Sequence, residues 1–297
     1  MDILKNCMLC PRKCGINRYE GKGCCGADEN ITAAKAFLHQ WEEPCISGEN
    51  GSGTIFFTCC NLRCIFCQNY EISQNMHGKS ISIERLAEIM LELQGQGAEN
   101  INFVTPTPYI LHIVEAVSTA RRSGLTIPTV YNTSGYETIE ALKLLEGIID
   151  IYLPDLKYYS ERYSKRYSNA EDYFMHASNA VLEMTRQVGL PVFDERGIMK
   201  KGVLVRHMIM PDMLEDSKSI LRWIRDNIGE KAYISLMSQY TPLYRAKDYE
   251  EINRKLDDWE YEYIVDYFFK LGLENGFIQE YSSASSEYVP DFNLSGI

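Results

Sequence analysis

Apolar residues recur along this chain in two rhythms. Short unbroken runs occur at "TIFFT" (54–58), "NINFV" (100–104), "IPTVYN" (127–132), "IDIYL" (149–153), "VLVRHMIM" (203–210) and "AYISLM" (232–237). They read as strands buried on both faces. Between and after them, apolar positions spaced by three and four predict helices over 83–94, 109–123, 138–145, 170–188, 217–227 and 259–271. Alternation of fully apolar strands with amphipathic helices predicts an α/β fold, a partial (β/α)6 TIM-like barrel with its chemistry at the C-terminal ends of the strands. Residues 1–50 are expected to form a small cysteine-rich appendage, and residues 51–297 the barrel with a C-terminal helical extension. No internal repeat, low-complexity segment or Pro/Gly/Ser linker interrupts the barrel portion.

Composition narrows the function classes. At 297 residues and 45% hydrophobic, the chain can bury a full core. Its net charge of -11 argues against a phosphate-binding surface, so nucleic acid is not an expected partner. No apolar run approaches the roughly 20 residues of a membrane span, and "MDILKNCMLCPRKCG" lacks the apolar core of a signal peptide. A cytoplasmic location is expected.

All ten cysteines lie at or before Cys67. Such crowding in a reducing compartment reads as metal ligation or redox chemistry, not as a disulfide scaffold. Within "TCCNLRCIFCQNY", straight after the first barrel strand, Cys60-x3-Cys64-x2-Cys67 offers three thiolates able to converge on one cluster. Three ligands on a four-iron cubane leave one iron open to a small molecule, which implies chemistry and not only electron transfer. A zinc site with Cys59 as fourth ligand is the plainer alternative, opposed by the rarity with which adjacent cysteines reach one metal.

The spacing, with an aromatic residue (Phe66) before the last cysteine, resembles the motif of the radical S-adenosylmethionine superfamily. "GSGTIFF", "CNLRCIFCQNYEIS", "DIYLPDLKYY" and "VRHMIMPD" further resemble pyruvate formate-lyase activating enzymes and their homologues with an N-terminal cysteine motif, over nearly the whole chain. The resemblance implies an oxidoreductase whose 4Fe-4S cluster, held by Cys60, Cys64 and Cys67, binds S-adenosylmethionine and cleaves it with one electron. The 5'-deoxyadenosyl radical so formed would abstract hydrogen from a protein or peptide, as in activation of a glycyl-radical enzyme. A flavodoxin or ferredoxin would be the electron donor. The alternatives are a radical enzyme acting on a small molecule or another peptide and, from a different class, a protein that only binds a metal or carries electrons.

The same resemblance assigns further cofactor-binding positions. Where the superfamily has Gly-Gly-Glu to receive the cofactor's amino group, this chain has Thr105, Pro106 and Thr107. Their hydroxyls and carbonyls can accept the same bonds. "YNTSG" stands where the activating enzymes have Asp-Thr-Asn-Gly, and "LPDLK" on their Asp-x-Lys, which form a cation site beside the cofactor carboxylate. Asn132 therefore replaces an aspartate, while Asp155 and Lys157 match. Lys157 also reads as a solvated surface lysine. Arg206, within the fifth barrel strand, needs an anion to be buried. That anion is either a cofactor or substrate carboxylate or a barrel Asp or Glu. His207 points the other way and is expected to pack. Gln239, with Tyr240, is expected at the same mouth.

"CMLCPRKCGINRYEGKGCCGA" places Cys7, Cys10, Cys14 and either Cys24 or Cys25 at metal-ligand spacing, with Cys25 suggested by the family pattern. It would hold zinc, suited by tetrahedral closure, a second iron-sulfur cluster suited to electron relay, or nothing. Cys45 has no evident partner. His39, His77, His112 and His176 read as surface or packing residues, "YEYIVDYFF" as a helix on the barrel, and "YSERYSKRYSNAEDY" as a solvated loop.

Overall fold

The computed structural model describes residues 2–279 and 290–297. The chain forms β1 (Ile31–His39), α1 (Pro44–Ser47) and β2 (Ser52–Phe57), and, after the cysteine loop, α2 (Tyr70–Ser73), β3 (Lys79–Ile81) and α3 (Ile83–Gly95). Regular alternation follows: β4 (Ile101–Val104), α4 (Ile110–Arg122), β5 (Thr129–Thr133), α5 (Ile139–Lys143), β6 (Ile151–Pro154), then α6 (Glu161–Ser168) and α7 (Tyr173–Val188). The chain continues with β7 (Val192–Phe193), β8 (Met199–Met208), α8 (Leu214–Asn227), β9 (Tyr233–Met237), α9 (Asp258–Lys270) and β10 (Gly276–Ile278).

The sheet runs β10-β9-β8-β6-β5-β4-β2-β1-β3, with β7 pairing off β8. From β2 to β9 every neighbouring pair is parallel. The six strands, with α3, α4, α5, α7 and α8 between them, are those anticipated from the alternation, and the sheet is an open barrel. β10 adds one more parallel strand at one edge, and β1 and β3 add antiparallel strands at the other. None of these added strands was anticipated, because the small residues and lysine of "ITAAKAFLH" and the three-residue length of β3 and β10 carry little periodic signal. β1 and α1 also place residues 31–47 within the barrel, so the appendage outside the sheet ends near residue 30, not residue 50.

Alternation along the strands sorts two layers. Ile55, Phe57, Phe103, Tyr131, Tyr152 and Val205 face the helices and join one continuous core. Val130, Ile151, Leu153 and Leu204 face inward, and Cys45 and Ile46 from α1 fill the space among them, closing the barrel floor. Cys45 is thus a buried packing residue. At the other edge, Leu294 donates its amide to Ala34 O (3.1 Å) and Ala36 donates to Ser295 O (3.0 Å), which seats Phe292 against Phe56, Ile72 and Val104. The C-terminal segment therefore packs onto the inner face at the barrel's edge.

Local signals explain the helix boundaries. Ser82 and Thr138 accept amides of the first turns of α3 and α5, and Asp257 with Glu260 forms a capping box on α9. α9 buries Ile264 and Phe268, as its apolar stripe requires. "YSERYSKRYSNAEDY" departs from expectation: Ser160 caps α6, which buries Ser164, Tyr167 and Ser168 on one face. His39 and His112 are packed, the latter donating from Nε2 to Glu29 O at 2.8 Å.

Ile46 is fully buried in the floor. Ile46→Ala should leave a cavity beneath the site and cost about 2–5 kcal/mol, read as a lower urea midpoint with an unchanged slope.

Candidate active site

One cavity of about 200 Å³, open to solvent, lies at the C-terminal ends of the parallel strands. Cys60, Cys64, Cys67, Phe66, Thr105, Thr107, Asn132, Asp155, Lys157, Arg206, Gln239 and Tyr240 all line it. The site residues anticipated for the barrel therefore converge, while the N-terminal cysteines lie outside this cavity.

The cysteine loop has almost no regular structure and is held by distant partners. After β2 the chain turns through Cys59 at φ 66, in the left-handed region that non-glycine residues seldom occupy. Cys59 is buried with its sulfur 3.6 Å from Thr58 Oγ1 and does not line the cavity, so it is no fourth ligand beside the other three. Cys60 N–H donates to Cys25 O (3.3 Å), Arg63 N–H to Ser168 O (3.2 Å) and Ile65 N–H to Tyr167 O (2.9 Å). Phe66 packs edge-on against Tyr240, ring centroids 5.8 Å apart, forming an apolar wall.

Each of the three thiols receives a hydrogen bond suited to a thiolate. Leu62 N–H donates to Cys60 Sγ at 3.4 Å, Ser168 Oγ to Cys64 Sγ at 3.0 Å, and Ser73 Oγ lies 3.3 Å from Cys67 Sγ. Burial and the neighbouring Cys64 push Cys67 up to about 11, and burial raises Cys60 and Cys64 too. Three crowded, buried thiolates need positive charge to ionise together. Among the described residues no three His, Cys, Asp or Glu side chains converge tightly enough for a single metal ion. A four-iron cluster spreads its ligand sulfurs more widely than one ion does and supplies the charge, so these residues fit it.

Beside the thiols lies a charged network. Lys157 Nζ donates to Asp155 Oδ2 (2.6 Å), and Arg206 donates from Nε to Asp155 Oδ1 (2.9 Å), from Nη2 to Asn132 Oδ1 (2.7 Å) and from Nη1 to Glu42 Oε2 (3.3 Å). Burial pushes the Asp155 carboxyl up, but Arg206 and Lys157 outweigh it and hold it below the usual carboxylate range. Burial opposes the Lys157 charge, yet Asp155 and Cys64 raise it above an ordinary lysine. The surface-lysine reading of Lys157 is therefore excluded. For Arg206 the barrel-carboxylate reading holds, at a position that also faces the cavity. His207 is buried on the helix side, donating from Nδ1 to Leu156 O at 2.7 Å.

Glu42 was missed by sequence reasoning. Its Oε1 accepts from Asn102 and Asn132, each at 3.1 Å, and it reaches the barrel interior from the segment leading into α1. Glu137 was missed too. It accepts Thr107 Oγ1 (2.6 Å), Thr133 Oγ1 (2.5 Å) and Tyr131 OH (3.3 Å), while its Oε2 has no partner. Ser168 was hidden in the stretch read as a loop. An acid 30 residues from its partner gives no local signal.

A family model described as the Radical SAM superfamily matches residues 54–224, and this chain belongs to that superfamily. It is 33% identical over 283 residues to an uncharacterized protein of Methanocaldococcus jannaschii, covering 92% of this chain and 77% of that one. A second uncharacterized protein of that organism is 26% identical, over 83% of this chain and 74% of its own length. Among solved structures, the FeFe-hydrogenase maturase HydG of Carboxydothermus hydrogenoformans superposes with a TM-score of 0.53 at 14% identity. That match covers 74% of this chain and 50% of the maturase, and reflects a shared fold.

Burial pushes Glu137 up to about 7, against three hydroxyl donors that favour its charged form. Because the folded-state value lies above the ordinary 4.5, its stabilising contribution is complete below pH 4.5 and is lost as pH rises through 7. Glu137→Gln should therefore leave stability nearly unchanged at pH 5 and raise it by up to about 3 kcal/mol at pH 8.5, measured by urea unfolding at both values.

Proposed function

We propose that this protein is a radical S-adenosylmethionine enzyme that cleaves its cofactor reductively and abstracts hydrogen from a protein or peptide, in the manner of a glycyl-radical activating enzyme. The observation that carries the reading is one cavity joining three donor-supported thiols to a charged pair, Asp155 just past β6 and Arg206 on β8, and to hydroxyls beyond β4. Cys60, Cys64 and Cys67 would hold a 4Fe-4S cluster, which would supply the single electron for reductive cleavage of the cofactor.

The chain's own residues bind and orient. Thr107 spends its hydroxyl proton on Glu137, which leaves the oxygen's lone pairs for the cofactor's ammonium group. Thr105 sits at φ 60, a strained turn that brings its backbone to the cavity edge. Arg206 is largely committed to Asp155, Asn132 and Glu42, whereas Lys157 gives one hydrogen bond to Asp155 and keeps donors for a carboxylate. Asn132 and Asp155 fix those two cations. Gln239 and Tyr240 border the space left for the adenosine, and the Phe66–Tyr240 wall keeps water from the reacting carbon.

A macromolecular substrate is supported by the resemblance of "DIYLPDLKYY" and "VRHMIMPD" to activating enzymes and by a barrel that is open along one side. A low-potential flavodoxin or ferredoxin fits the need for single electrons.

After anaerobic loading with iron and sulfide and reduction by dithionite, the wild type should release 5'-deoxyadenosine, and Cys64→Ala should release less than about one hundredth as much. A loaded, reducible wild-type cluster that neither binds nor cleaves the cofactor would refute the enzyme reading. Release should rise with the macromolecular fraction of a dialysed cell extract and lose that rise after protease treatment. Stimulation by the low-mass filtrate alone would move the substrate to a small molecule.

A further inference from the structure

Behind the cysteine loop, residues 7–27 fold into three turns with no strand or helix of their own. Gly15 N–H donates to Cys7 O (3.0 Å), Cys7 N–H to Ile16 O (3.0 Å), and Gly23 N–H to Ala27 O (2.9 Å). Cys7 is buried, Cys10 and Cys25 are half-buried, and all the cysteines are free thiols. The segment is short of apolar side chains for its size, so little besides these turns and its contacts with the barrel defines its shape.

The turns aim backbone amides at sulfur. The N–H of Arg12 points at Cys10 Sγ, that of Ile16 at Cys14 Sγ and that of Ala27 at Cys25 Sγ, in each case two residues beyond the cysteine. The same step of two joins Leu62 to Cys60 and Asn69 to Cys67 in the active-site loop. A neutral thiol is a weak acceptor, and amides held on sulfur are what a ligating thiolate calls for. Cys7, Cys10 and Cys25 lie within electrostatic reach of one another. Cys14 and Cys25 flank Gly23: a methyl group there would sit 3.6 Å from one sulfur and 3.4 Å from the other.

We propose that Cys7, Cys10, Cys14 and Cys25 bind a second iron-sulfur cluster. The N-terminal turns repeat the step of two seen at Cys60 and Cys67, so the two loops are built alike and call for the same kind of centre. Cys24 lies beside Cys14, but the N–H two residues beyond it, that of Gly26, is spent on Gly23 O (2.9 Å), so Cys24 remains the spare thiol. The two ligand loops are directly joined: Cys25 O accepts from Cys60 N–H, and Arg63 Nη2 donates to Cys24 O at 2.7 Å.

The test removes the active-site thiols, so it does not depend on S-adenosylmethionine chemistry. The full chain carrying Cys60→Ala, Cys64→Ala and Cys67→Ala, loaded anaerobically with iron and sulfide, should retain about four irons and four sulfides, against about eight of each in the wild type. The reciprocal variant, Cys10→Ser with Cys25→Ser, should also hold about four and keep the active-site cluster's electron spin resonance signal. It guards against misfolding of the first variant. Gly23→Ala, which places a methyl group between two of the sulfurs, should lower the wild-type iron content toward four. A wild type saturating at four irons, with none left in the triple variant and the reciprocal variant unchanged, would overturn the proposal. So would one zinc per chain bound by the triple variant in place of iron.

Discussion

A guanidinium inside a barrel must be neutralised where it stands, and the site is arranged around that requirement. Arg206 projects inward from β8 with 15% of its side chain exposed, and its partners come from β6, β5 and the segment before α1. Stranding such a charge costs several kcal/mol, whereas the intact pair adds little net stability. The network therefore acts as a positioning device. It sets the register of three strands against the barrel floor, fixes Asp155, and through Asp155 aims Lys157 at the cavity. The packing of Ile46 and the placement of Lys157 are two ends of one chain of contacts.

The cysteine loop obeys a different constraint. With no helix or strand of its own until α2, it has to satisfy its backbone groups elsewhere. Cys60 is tied to the N-terminal turns, Arg63 and Ile65 to the end of α6, and Ile65 O accepts from Arg245 N–H at 2.8 Å. Arg12 secures the same corner by donating to Asn61 O (2.8 Å) and Asn169 O (2.5 Å). The loop can bring three thiols together because segments far apart in sequence grip it from behind. Those grips belong to the N-terminal appendage and to the tyrosine-rich stretch that reads as a solvated loop in the sequence.

This contrast explains what could be read in advance. The parallel strands were legible because burial on both faces writes an unbroken apolar run, and the thiols because their spacing is itself the signal. α6 was not, because only Ser164, Tyr167 and Ser168 of its residues are buried, and two of those are polar. The hydrogen bonds of Ser168 to Cys64 and of Tyr158 to Ser168 (2.8 Å) exist only once the helix has docked. β1 hid for a related reason, since a strand rich in alanine needs its neighbours, here β2 and β3, to define it. Glu42 stands 164 residues from Arg206, and a lone acid before a proline says nothing about which cation it will meet.

Glu137 shows how such an unseen residue alters a family resemblance. Replacement of Gly-Gly-Glu by Thr105, Pro106 and Thr107 suggests that the carboxylate facing the cofactor's amino group has been lost. Instead an acid from the turn after β5 stands behind the turn after β4, bonded through Thr107, Thr133 and Tyr131 hydroxyls. Removed from water, it can be charged only at a cost, and a cation in the cavity offsets that cost through the intervening hydroxyl. In the proposed reading, cofactor binding and ionisation of Glu137 favour each other. The negative charge that the resemblance places in contact with the amino group is, in that reading, held one hydrogen bond further back.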